Sequence, residues 1–139
     1  MLYSPGIHTR TLTSALEQYP YIDGHPEVTH RFQALINHER TFDLREMAYA
    51  IEELWFNEHD SGGFTQYKNP EAFEKFDPIH HIANCSQRML VIQGERDYCV
   101  PDTQSIRAFT ALQRRGNPSR MLYFRNENDW ILNPFNALV

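Results

Sequence analysis

Cysteine, glycine, basic excess and long apolar runs are all scarce in this chain. Two cysteines, Cys85 and Cys99, are too few for a disulfide framework. No apolar stretch reaches the roughly 18 residues that a membrane helix needs. The first residues, Met-Leu-Tyr-Ser-Pro-Gly-Ile-His, lack a charged segment followed by an apolar one. They therefore predict no secretory leader, and a reducing, cytoplasmic setting is the default. Lysine and arginine number 13 against 18 aspartate and glutamate, for a net charge of −5. Both signs are mixed along the chain, which argues against a nucleic-acid partner. No internal repeat or low-complexity segment is present.

What is there suits one domain. A chain of 139 residues can bury about two-thirds of its unfolded surface. Pro5, Gly6, Pro20, Gly24 and Pro26 punctuate the first thirty residues, with a short helix expected over Thr13–Tyr19. Phe32–Asn37 is a short apolar run suited to a buried parallel strand. Asp43–Phe56 places Leu44, Met47, Ala48, Ile51, Leu54 and Trp55 at helical spacing. Leu54, Trp55 and Phe56 are expected in the core. Ser61-Gly62-Gly63 marks a loop, a short helix is expected over Glu71–Lys75, and Asp77-Pro78 starts another turn that leads into Ile79–Ala83. Met89–Gln93 is the clearest strand. Thr103–Arg115 is the clearest helix, with Gly116 placed to end it and Pro118 beyond. Arg120–Phe124 is the last strand. This alternation predicts an α/β fold: about three parallel strands with flanking helices.

In open parallel sheets, chemistry sits beyond the carboxyl ends of the strands. Asp97 and Asp129 both lie a few residues past a strand end. Asp97 has an ordinary reading as well, as a loop residue bonding its own turn or the next helix. Free aspartate titrates near ~3.9, so Asp129 is a poor base at pH 7. If the two meet, they raise one another's pKa and titrate as a pair. Such a pair also fits glycosidase chemistry or a metal site, but no third ligand is visible. His80 and His81 are adjacent and point different ways on a helix. His30 and His38 are far apart in sequence. The residues predict no metal and no cofactor.

Gly94-Glu-Arg-Asp-Tyr-Cys-Val-Pro101 and Tyr123-Phe-Arg-Asn-Glu-Asn-Asp-Trp130 resemble the end of a serine-peptidase catalytic domain of the prolyl oligopeptidase family (S9). The look is that of its fungal dipeptidyl-peptidase V group. The similarity runs on through Glu52-Glu-Leu-Trp-Phe56, Tyr67, Asn69-Pro-Glu71 and the Ala108–Gly116 segment. It implies a partial α/β-hydrolase fold, with residues 22–139 as its C-terminal portion and residues 1–21 poorly matched.

In that family a Ser-His-Asp triad hydrolyses peptide bonds, with the first loop carrying the acid and the second the histidine. The resemblance assigns Asp97 to the acid position. It sets Asp129, 32 residues later, where the histidine belongs. Cys99 and Gln93 stand in place of the family's usual arginine and histidine. The nucleophile elbow, Gly-x-Ser-x-Gly-Gly, should fall near Thr11–Leu16. That segment offers Thr13 and Ser14 but no glycine. The expectation is therefore a truncated, inactive relative of a dipeptidyl or oligopeptidase domain, with peptides as the substrate class by resemblance alone. Two alternatives stand beside it. One is an interaction module that dimerises, or docks a complementary fragment, through an open sheet edge. The other is residual hydrolase activity. Members of the group are secreted, which opposes the cytoplasmic default.

Overall fold

The computed structural model describes residues 34–74 and 77–138. The expected Thr13–Tyr19 helix, Thr13 and Ser14 lie outside them. Three strands, β1 (Ala34–His38), β2 (Arg88–Gly94) and β3 (Ser119–Phe124), form one sheet in the order β1-β2-β3. Both pairings are parallel, with Ile36 beside Leu90 and Val91 beside Met121. The three-stranded parallel α/β reading therefore holds. Among the described residues, no helix is long and apolar enough to cross a membrane.

Alternation along β2 decides which face is covered. Met89, Val91 and Gln93 are buried, while Leu90 and Ile92 are only partly so. The buried set meets the long helix α4 (Asp102–Arg114), whose Ala108 and Leu112 face the sheet. Cys85, Met89, Val91 and Leu112 form the main core, with Leu35, Ile82, Phe109 and Met121 around it. Gly116, at φ +76, ends α4. Its N–H donates to the Gln113 carbonyl and the Asn117 N–H to that of Leu112, both at 3.0 Å. That double closure needs a left-handed residue, so the glycine sits where the sequence predicts it.

Between β1 and β2 the structure departs from the expected single helix over Asp43–Phe56. It forms α1 (Leu44–Met47) and α2 (Leu54–Asp60), separated by an irregular stretch. Asp43 caps α1 by accepting from the Arg45 and Glu46 N–H groups. The chain then leaves helical geometry so that Glu52 N–H can donate to the Tyr98 carbonyl at 3.0 Å. Met47, Ile51 and Val100 close a second small core there. Tertiary contacts thus override a helical period that was present in the residues. Leu54 and Trp55 are 44% and 61% exposed, so they are not core residues.

Helix α3 (Pro70–Glu74) and two 3-10 turns, Pro78–His80 and Ile82–Asn84, complete the connection. Gln104 of α4 accepts from the N–H groups of Phe42 and Asp43, each at 2.8 Å. Arg107 adds an ion pair to Asp43 at 2.6 Å. These bonds fix the segment after β1 against the start of α4.

Candidate active site

Three carboxylates meet past the carboxyl ends of the strands. Glu39 follows β1, Asp97 follows β2 and Asp129 follows β3. One oxygen of each lies within 4.8 Å of the other two. The structure thus brings together Asp97 and Asp129, as their strand-end positions imply. It adds a third carboxylate, Glu39, which lies outside the motifs of the sequence. The strand-end rule that lets Asp97 and Asp129 meet points equally to His38-Glu39 when applied to β1.

Each acid is placed by backbone. Glu39 sits at φ +50, a left-handed conformation that is uncommon for a side-chain-bearing residue. Its N–H extends the ladder to the Ile92 carbonyl at 3.0 Å, and its Oε1 accepts from Gly94 N–H at 3.2 Å. Two bonds at the end of β2 therefore hold the strained residue. Asp97 Oδ1 accepts from the N–H groups of Cys99 (2.9 Å) and Val100 (2.7 Å), closing its own loop. Its Oδ2 receives the Gln93 amide at 3.5 Å. The Asp129 loop is built by Glu127. That carboxylate accepts from Leu132 N–H at 2.9 Å, Asn133 N–H at 3.3 Å and the Asn136 amide. The loop lies so close to β2 that a Cβ on Gly94 would stand 2.4 Å from the Asn128 carbonyl oxygen.

Burial governs the charge state. Glu39 and Asp97 are 4% and 3% exposed. Desolvation pushes the Glu39 carboxyl up to about 7; His38 opposes this, while the hydrogen bond with Asp129 reinforces it. Desolvation likewise pushes Asp97 up to about 6, with the Asp129 charge adding to it and backbone donors opposing. His38, 3.5 Å from Glu39, is raised chiefly by that contact. The pocket therefore binds protons near neutrality. An oxygen-only set of this kind also suits a hard cation, to which three side chains offer part of the six or so oxygens it takes.

Of the other sequence candidates, His38 and Cys99 border the cluster through Glu39 and Asp97, and Cys85 and His80 are not part of it. Cys99 is partly buried and Cys85 buried, neither in a disulfide, and burial raises the Cys85 thiol. His80 lies 3.8 Å from Glu74 on the surface.

The sequence profile of the prolyl oligopeptidase family matches residues 26–138. The chain belongs to the prolyl oligopeptidase family. Among curated family relatives, dipeptidyl-peptidase 5 of Schizosaccharomyces pombe is 37% identical over 118 residues, covering 85% of this chain and 17% of the relative. Dipeptidyl-peptidase 5 of Porphyromonas gingivalis is 42% identical over 113 residues, covering 78% and 16%. The chain thus spans about one-sixth of the length of the relatives it matches. Among solved structures, Pyrococcus horikoshii acylaminoacyl peptidase superposes with a TM-score of 0.65 at 21% identity, over 71% of this chain and 16% of that one. A puromycin-hydrolyzing peptidase of Mycobacterium tuberculosis gives 0.62 at 27% identity, over 73% and 16%. Together they bear out the α/β-hydrolase fold expected of a prolyl oligopeptidase.

Proposed function

We propose that this prolyl oligopeptidase relative does not hydrolyse peptide bonds. One observation carries the reading: where the family resemblance requires an imidazole, Asp129 contributes a carboxylate to a cluster with Glu39 and Asp97. A serine nucleophile needs a neighbour that takes its proton near pH 7 and returns it to the leaving amine. Asp97 is committed to two backbone donors. Glu39 titrates in a useful range, but it is buried beside Asp97 and Asp129. Neither presents an accessible base to a substrate. Residual hydrolysis is the competing outcome. It is tested by incubating the chain with a panel of dipeptidyl aminocoumarin substrates at pH 6 and pH 8. The reading expects no release above that of a heat-denatured sample, and enzyme-dependent release would overturn it.

A second reading is favoured by the sheet itself. Within the described residues, β1 and β3 are both edge strands, and Ile36 on β1 is 70% exposed. Open edges and exposed apolar faces recruit partners. We propose on that ground that the chain docks another polypeptide, whether a second copy or a complementary fragment.

A further inference from the structure

The two faces of the sheet differ. Helix α4 covers one. The other carries Ile36 from β1, Leu90 and Ile92 from β2, and Leu122 and Phe124 from β3. Ile36 is exposed and the rest are only partly buried. A groove of about 580 Å³ opens at its lower end, floored by Ala34, Ile36, Leu90 and Pro118. Arg88 and Arg120 line the same groove. Both are exposed, and among the described residues neither has an acidic partner.

We infer that this face docks an amphipathic helix of another polypeptide, one that sets an apolar stripe on Ile36, Leu90, Ile92 and Leu122 and carboxylates on Arg88 and Arg120. Two arguments select that occupant. Parallel strands are stable when both faces are covered, and helices are what covers them. Two unneutralised guanidiniums beside an apolar floor favour a carboxylate-bearing partner, since arginine takes carboxylates in a fixed two-pronged geometry. A second copy meeting face to face would instead bring four arginines together. The inference deepens the docking reading above and rests on it.

The test uses two synthetic amphipathic helices of about 18 residues, each with a leucine stripe. One is flanked by glutamate and the other by lysine at the same positions. Fluorescence anisotropy against the full chain should show the glutamate peptide binding about fivefold to tenfold more tightly at low salt, a margin set by two rim ion pairs. The margin should shrink as salt rises. The Arg88→Glu/Arg120→Glu variant should reverse the preference, and Ile36→Asp should weaken both peptides. Reversal by the charge swap shows that the variant remains folded. Equal binding of the two peptides would overturn the acidic-helix inference while leaving docking intact. Binding of neither peptide by a chain that stays monomeric in light scattering would overturn the inference and the docking reading together. A concentration-dependent dimer abolished by Ile36→Asp would assign the face to a second copy and overturn the inference.

Discussion

Glu39 and Asp129 bring carboxylate oxygens to within 4.8 Å of each other, and Asp129 helps to raise the Glu39 carboxyl. Two ionised carboxylates only accept and repel at close range, which favours the protonated form of Glu39. Asp97 stands within 4.8 Å of both. A pocket of three acids thus occupies the ground where the family resemblance expects an acid and an imidazole.

Asp129→Asn should stabilise the fold at pH 8. The amide supplies the missing donor to Glu39 without a proton, and removes a like charge from Asp97. A gain of about 1 kcal/mol is expected, the usual worth of one added hydrogen bond. A urea denaturation midpoint that is unchanged or lower would contradict the close contact of these residues.

Stability should fall as pH rises through neutrality. The ordinary Glu39 value of 4.5 becomes about 7 in the fold. Below 4.5 both states are protonated and the contribution is complete. Between 4.5 and 7 the unfolded chain ionises first, so folding must take up a proton and weakens with pH. Asp97 acts in the same sense from 3.8 to about 6. One unit corresponds to roughly 1.4 kcal/mol, so the Glu39 share is on the order of 3 kcal/mol. The chain should be more resistant to urea at pH 5 than at pH 8, and Glu39→Gln should flatten the slope. A wild-type midpoint that climbs over this window would reverse the sign and refute the burial argument.

The parts of this arrangement that could be read from the residues were local. Alternation and apolar content place Met89–Gln93 and Arg120–Phe124 within one residue of the observed strands, and Gly116 marks the end of α4. Asp97 and Asp129 stand out by the family resemblance, and their strand-end positions allow them to meet. Glu39 lies at a strand end as well, but outside the segments that carry the resemblance. The break between α1 and α2 was not legible. Its cause is a bond from Glu52 to Tyr98, whose partner lies far along the chain. The exposure of Trp55 was hidden for the opposite reason, because a helical apolar period does not reveal how much of the face finds a partner.

Gly94→Ala should destabilise by about 2 kcal/mol, the range for a side chain forced into a filled space. The new methyl would meet backbone at Asn128, which cannot swing aside as a flexible side chain would. Hydrogen exchange should quicken across residues 125–133. A variant with wild-type stability and protection would mean that the Asp129 loop does not lie against β2.

Asn37 is fully buried in β1, and neither its amide nitrogen nor its oxygen has a hydrogen-bond partner. It shares a sheet face with Val91 and Met121. Asn37→Leu removes two unsatisfied polar groups on the same branched side-chain skeleton and should raise stability by about 1–3 kcal/mol. A destabilised variant in thermal unfolding would show that the amide is satisfied in solution.

The proposal that the chain has no working catalytic base is tested most directly by intact-mass spectrometry after exposure to a fluorophosphonate. That reagent marks a serine or threonine only where a neighbouring base activates it. The account predicts an unmodified 139-residue chain from pH 5 to pH 9. A stoichiometric adduct that appears as pH rises, absent from denatured protein, would contradict it.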